Sequence, residues 1–509
     1  MESTRPTPHL RASKQTLPLR RPALLLGLAL WLLATMGLRP LLLPDEGRYA
    51  EVAREMMLGD GWVPLLHGLP FFHKPPLMYW LDMAAMHVLG INEFAARGAP
   101  VLGAWLMGAA LYLDLYRRAG ARTAAITLGV MATCPFYFVG AQYANHDMLV
   151  AGLITVAVVC ARRAVDDPQR TALHWVVAAW SAMALAVLAK GLIGVVLPAL
   201  IVGPWLLGQR RWREVLRLMH PLALGAFALI AVPWFAAMQS RYPGFLDYFF
   251  VEQHVRRFAQ AGFNNVQPFW FFIPVVLVLT LPWSLWLVAA ARPLQATSAS
   301  LASSATARGI YVWWLAAVVV FFSLPSSKLA GYVLPALAPF IALLAGAVCR
   351  GRAWRWVMPL AAGVCLAVVA ALAWQAPGSN RDIGQALGAR MQPGDRVVFV
   401  DAPYFDVPFY AGMTQPPIVL SNWDDPEIPR RDNWRKELFD AGRFDPAAAA
   451  KVLWRIDRAQ ELLCQTGTLW FVAGKGRPPA LRPGELTIVH AGRHADLLRA
   501  TGGPRPECP

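Results

Sequence analysis

Long apolar runs separated by short polar connections dominate the chain up to about residue 374. An α-helix needs about 17 to 25 such residues to cross a bilayer. Runs of this kind fall at 22–43, 97–116, 122–140, 147–162, 173–189, 191–207, 221–239, 269–290, 309–324, 332–349 and 354–374, which predicts eleven spanning helices. A broken run can hide a pair of short helices, so the pattern allows about 11–13. Beyond about residue 378 no run reaches spanning length, and Asp, Arg, Pro and Gly become frequent. There Arg396–Asp401 and Thr468–Gly474 read as buried strands, and Asp382–Met391 and Pro446–Gln460 as helices. The expected architecture is a polytopic α-helical membrane protein, residues 1–377, followed by a small soluble α/β domain, residues 378–509.

Composition agrees with that pattern. Hydrophobic residues make up 57% of the 509 and charged residues 15%, against roughly 25% charged in soluble domains. The net charge of +16 does not point to nucleic acid, because its basic residues sit mainly in short loops between apolar runs. With the N-terminus in the cytoplasm, the basic connections 117–122, 162–170, 209–217, 292–308 and 350–355 all fall on the cytoplasmic side. An odd number of crossings then puts the terminal domain outside. Four of the six cysteines lie in apolar runs; Cys464 and Cys508 lie in the terminal domain and can pair if it faces an oxidising compartment. That domain shows no phosphate loop, dinucleotide motif or metal-type cysteine spacing.

The outer face is built from residues 44–96, a turn at 143–147, residues 240–268 and a turn at 323–332. Asp45 opens a predicted amphipathic helix lying in the membrane interface, where it reads either as an N-cap or as a base, with Arg48 one turn on to meet an anion. In "FFHKPPLMYW" two prolines hold Lys74 in an extended segment among aromatics, where a lysine serves as a point charge for phosphate or snorkels to the interface. In "VEQHVRRF" a helical spacing of three puts His254 and Arg257 on one face, suited to a phosphate or a metal unless the loop is simply solvated. Lys328 and Tyr332 are four apart at the outer start of a spanning helix. Asp147 opens an otherwise apolar run, where an acid is costly and marks function. Lys190 reads first as a tight outer turn.

These motifs in this order resemble the GT-C superfamily of polyprenyl-phosphate-sugar-dependent glycosyltransferases, in particular the lipid A 4-amino-4-deoxy-L-arabinose transferase and protein O-mannosyltransferase-like families. The likeness runs from about Leu41 to Pro339 through "DEGRYAEVAREM", "FHKPPLMYW", "KG", "EQHVRRF", "QPFW" and "SSKLAGYVLPALAP". It implies a GT-C fold in a bacterial inner membrane with a periplasmic terminal domain. It also implies a polyprenyl-phosphate sugar donor and an acceptor among lipid A, another envelope glycan or a protein. By the same likeness Asp45 and Asp147 are the catalytic-type carboxylates. Lys74 and Arg257 match positions that hold the donor phosphate, supported by Arg48, Tyr332 and Lys328. The aminoarabinose transferases carry an acid before the lysine of "KPP", where this chain has His73; a metal site would be His73 with His254, suited to zinc. No other cofactor is implied.

On that reading the leaving group is already a phosphate, and cations stabilise it as the bond breaks. Asp45 would be the base for a hydroxyl acceptor and an orienting group for a phosphate acceptor, and direct displacement predicts inversion. A flippase for lipid-linked sugars would need midplane charges and repeat symmetry, neither of which the sequence shows. A non-catalytic membrane scaffold is the remaining alternative.

Overall fold

The computed structural model describes residues 20–166, 172–256, 265–291, 305–464, 466–476 and 486–503. The first helices are α1 (Arg20–Leu33), α2 (Asp45–Leu58), α3 (Leu77–Leu89), α4 (Gly98–Ala132) and α5 (Pro135–Ala141). They are followed by α6 (His146–Asp166), α7 (Ala172–Lys190), α8 (Ile193–Gly208), α9 (Trp212–Leu218) and α10 (Pro221–Arg241). The later apolar helices are Ala305–Ser323, Leu337–Arg350 and Trp354–Gln375.

Every predicted run contains helical chain, but not as eleven uniform spans, and the run at 22–43 is helical only to Leu33. Among the described residues six helices are long and apolar enough to cross a membrane alone. A seventh is a pair, Phe272–Leu279 and Trp283–Ala291, bent by 103°. Pro282 lies in the break, where its missing N–H cannot continue a helical ladder. The runs at 22–43, 191–207 and 309–324 fall on shorter apolar helices. Those at 97–116 and 122–140 share α4, which breaks at Gly120 with φ 82°. The arginine-rich loop predicted there has shrunk to one left-handed glycine.

Close contact between α4 and α6 forms the centre of the bundle. A Cβ on Gly152 would lie 2.0 Å from the carbonyl oxygen of Gly103, so glycine on both helices is what lets the backbones touch.

Helix α2 is not an interfacial helix with one face in water. Tyr49, Ala50, Val52, Ala53 and Met56 are buried against the bundle, as its apolar spacing predicts, but Glu46, Glu51, Arg54 and Glu55 are buried too. The opposite face is covered by residues 406–413 of the C-terminal domain, the short helix Val407–Ala411 and the turn after it. Arg54 donates to the carbonyl of Met413 at 2.5 Å, and the backbone N–H of Leu41 donates to the Tyr410 hydroxyl at 2.8 Å. A two-residue hairpin, β1 (Leu65–Leu66) and β2 (Leu69–Pro70), turns at His67 and Gly68, both with positive φ. Its two turn N–H groups donate to the Glu55 carboxylate at 2.8 and 2.9 Å, fixing the hairpin to α2.

The C-terminal sheet has the order β5-β4-β3-β6-β8-β7. Its strands are β3 (Arg396–Val400), β4 (Ile418–Ser421), β5 (Leu453–Arg455), β6 (Gly467–Gly474), β7 (Thr487–Ala491) and β8 (Ala495–Gly502). The four strands β5, β4, β3 and β6 run parallel, and β8 and β7 add antiparallel edges. Burial of β3 and β4 on both faces explains their unbroken apolar sequences. The helix predicted over Pro446–Gln460 is instead a short helix ending at Val452, followed by β5. Pairing of Leu453 and Trp454 with β4 overrides helix propensity there.

Candidate active site

Segments distant in sequence meet around one cavity of about 210 Å³. The first is the start of α2. Its N-cap is Pro44, and no side chain caps the helix, so Asp45 is not the expected N-cap. Asp45 instead accepts from Arg48 at 2.6 Å. Arg48 is also gripped by both oxygens of Glu437 at 2.5 and 2.6 Å. Burial opposes the Arg48 charge, but Glu437, Tyr49 and Asp45 hold it firmly protonated.

The second segment carries His73 and Lys74 to the cavity wall, with Lys74 Nζ donating to the His73 carbonyl at 3.0 Å. Residues 72–74 form a turn and a bend where an extended segment was expected, and α3 begins at Leu77 after Pro75 and Pro76. The third is the start of α6 beside the end of α7. Asn145 Oδ1 accepts from the Asp147 N–H at 3.0 Å, and Lys190 from α7 forms an ion pair with the Asp147 carboxylate. The fourth is the turn leading to Leu337–Arg350. Lys190 Nζ lies 4.5 Å from the centroid of the Tyr332 ring, within cation–π range. A Cβ on Gly331 would fall 2.4 Å from Asp147 Oδ2, so glycine there is what lets the carboxylate in.

Of the sequence-predicted residues, Asp45, Arg48, His73, Lys74, Asp147 and Tyr332 line this cavity. Lys328 does not. Its Nζ donates to the Gln267 carbonyl at 2.8 Å, and its backbone N–H to that of Asn265 at 3.0 Å. Helical turns begin only at Ala330, so the spacing of four does not put Lys328 and Tyr332 on one face. Arg257 and the side chain of His254 lie outside the described residues. Among the described residues no group of three or more His, Cys, Asp or Glu side chains is arranged for a metal; of the expected metal pair, His73 alone can be placed.

Lys190 does stand at a tight turn, as its sequence suggests, since α7 ends there and α8 begins at Ile193 across Gly191 with φ 86°; it is also an ion-pair partner inside the cavity, for which a lysine closing a buried apolar helix was the available signal. Glu437 was missed altogether. It lies on an ordinary-looking helix, Trp434–Gly442, and nothing local marks it. The wall also carries the apolar side chains of Ile193, Phe321, Phe322, Pro325 and Leu329, with Gln253 and Ser327 among them. The cavity therefore offers charged groups to a headgroup and apolar surface to a hydrocarbon chain.

The chain is also similar to known proteins. Residues 28–249 match the family model described as dolichyl-phosphate-mannose-protein mannosyltransferase. Among curated relatives, the undecaprenyl phosphate-α-4-amino-4-deoxy-L-arabinose arabinosyl transferase of Erwinia tasmaniensis is 34% identical over 340 residues, covering 64% of this chain and 59% of the relative. The Aeromonas salmonicida transferase of the same name is 34% identical over 370 residues, covering 69% and 65%. The chain thus spans about three fifths of the length of these relatives. ArnT from Cupriavidus metallidurans bound to undecaprenyl phosphate superimposes with a TM-score of 0.80 at 23% identity, over 96% of this chain and 100% of that one. The protein is a polytopic membrane protein of the GT-C fold. It resembles the aminoarabinose transferases and is a multi-pass protein of a bacterial inner membrane.

Proposed function

We propose that this protein is a glycosyltransferase that moves a sugar from a polyprenyl-phosphate donor to an acceptor at the periplasmic face, with inversion at the sugar carbon. The observation that carries this is the cavity that Asp45, Lys74, Asp147 and Lys190 share with Phe321, Phe322 and Leu329. Lys74 and Arg48 are the donor-phosphate ligands among the described residues, with Arg257 assigned the same role from its motif. As the acceptor oxygen bonds to the sugar carbon, the bond to the phosphate oxygen breaks and its electrons pass to the phosphate. Fixed cations stabilise that charge without reorganising. Asp45 takes the proton from a hydroxyl acceptor, or orients a phosphate acceptor, which has none to lose. Asp147 holds Lys190 and, through it, the Tyr332 ring. The polyprenyl chain lies along Phe321, Phe322 and Leu329.

The chain divides at about residue 377 into a membrane part and a periplasmic domain, with the N-terminus cytoplasmic. The last spanning helix ends at Gln375, which supports the division. A disulfide at Cys464 supports an oxidising compartment for the second part, and Cys508 lies outside the described residues.

The test is transfer from undecaprenyl-phosphate sugars in membranes containing wild type or Asp45→Asn. Wild-type transfer that collapses in folded Asp45→Asn supports the assignment. Undiminished transfer removes Asp45 from the mechanism. Mass spectrometry of lipid A, other envelope glycans and exported proteins, with and without the protein, identifies the acceptor.

A further inference from the structure

His146 opens α6 beside Asp147, and nothing in the proposed chemistry uses it. Its side chain is 2% exposed, and neither Nδ1 nor Nε2 has a hydrogen-bond partner among the described residues. Tyr49 and Tyr79 hold the ring edge-on, with centroids at 4.7 and 5.2 Å. Tyr79 is itself fully buried, and its hydroxyl is also unpartnered. Two adjacent side chains thus leave three polar atoms without partners, whereas buried polar groups are almost always satisfied. A phenyl ring at position 146 would make the same edge contacts without that cost. What distinguishes imidazole here is hydrogen bonding, and its ring lines the cavity of Asp45, Lys74 and Lys190.

The chemistry of the missing partner follows from what the cavity already has. Lys74, Lys190 and Arg48 share this cavity with His146, Lys190 paired with Asp147 and Arg48 with Asp45 and Glu437. They offer donors only, the complement a phosphate needs. A neutral imidazole offers one donor and one acceptor, and a tyrosine hydroxyl offers both. That set matches a group that itself donates and accepts, such as the hydroxyls or amine of a sugar. In a lipid-phosphate sugar the ring is one bond from the phosphate, so both belong in one cavity.

We propose that His146, with Tyr79 beside it, is a specificity-determining residue that hydrogen-bonds a hydroxyl or amino group on the sugar of the donor. This rests on the lipid-phosphate-sugar reading above.

The experiment measures binding to the full chain in lipid nanodiscs by tryptophan fluorescence. The probes are undecaprenyl phosphate alone and undecaprenyl phosphate carrying glucose, galactose, mannose or 4-amino-4-deoxy-arabinose. Wild type is expected to bind at least one sugar-bearing carrier about tenfold more tightly than the bare carrier. His146→Phe should remove most of that preference while bare-carrier affinity stays within about twofold. His146→Gln, which keeps a donor and an acceptor, should restore part of it and carries the test if His146→Phe does not fold. Tyr79→Phe should cost less than His146→Phe.

A preference retained in His146→Phe overturns the proposal and leaves the site to an ordered water. Equal loss of bare and sugar-bearing carriers in folded His146→Gln also overturns it. Wild type that binds the bare carrier but prefers no sugar overturns it while sparing the lipid-phosphate reading. Wild type that binds neither defeats that underlying reading as well.

Discussion

Asp45 and Glu46 are consecutive, yet their side chains enter two polar regions built on opposite principles. Glu46 is fully buried and saturated. Its carboxylate accepts from Arg97 at 2.9 and 3.1 Å and from Arg39, and also from the backbone N–H groups of Leu42 and Ala144 at 2.9 Å. Burial works against its charge, but Arg97 and Arg39 outweigh burial and hold it down at about 2. The cluster ties α2 to the turn before α6 and leaves no room for a ligand. Asp45, by contrast, is partly exposed at the rim of a cavity and bonds to an arginine shared with another carboxylate. A closed set of partners fixes a backbone, whereas an open one leaves bonds for a substrate. Counting charges in the sequence does not separate the two; counting partners in the structure does.

The sharpest way to break this comparison is Glu46→Ala, which leaves Arg39 and Arg97 buried without their carboxylate. Loss of one member of such a cluster costs about 3–5 kcal/mol, so monodisperse protein should largely disappear and the remainder melt at lower temperature. Asp45→Asn should do the reverse. Transfer should fall by about 10²–10⁴-fold, while thermal stability hardly moves, because a partly exposed ion pair contributes about 0–1 kcal/mol. If Asp45→Asn destabilised the protein as much as Glu46→Ala, the two regions would not differ in kind. Gly331→Ala tests whether geometry within the open region matters without altering a charge. Its methyl group must displace the Asp147 carboxylate, and transfer should fall about 10- to 100-fold with little change in melting temperature.

The smallest expected effect concerns a second closed cluster on α2. Burial first, and Glu51 next, push the Glu55 carboxyl up to about 8. In the unfolded chain it ionises near its ordinary 4.5, so stability is lost as pH rises from 4.5 to 8. Burial lowers His67 to about 4 and raises Asp406 to about 6, and these groups have largely finished titrating in both states by about pH 7. Between pH 7 and 8 the fall should be about 1 kcal/mol, visible as a lower melting temperature in wild type and absent in Glu55→Gln.

The sequence made the apolar runs legible because their length and composition are dictated by the bilayer, and Asp147 was legible because an acid is costly at the end of such a run. Lys74 was legible as a lone cation set between aromatics and two prolines. What could not be read was anything settled by long-range contact. The polar face of α2 looks solvent-exposed by periodicity but is covered by a short helix, Val407–Ala411, that lies far along the chain. The same blindness hid Glu437. Lys328 failed for a local reason: its pairing with the 265–267 segment replaced the helix that spacing assumed.

The grip of Glu437 on Arg48 joins residues 389 positions apart, and this constrains the order in which the site comes into being. Translation proceeds at about 5–20 residues per second, so roughly 20–80 s separate the two residues at the ribosome. Throughout that interval the spanning helices can enter the bilayer while Arg48 has Asp45 as its available carboxylate partner. The binding site therefore stays unfinished until long after the spanning helices are made, and it is completed by a helix of the C-terminal domain.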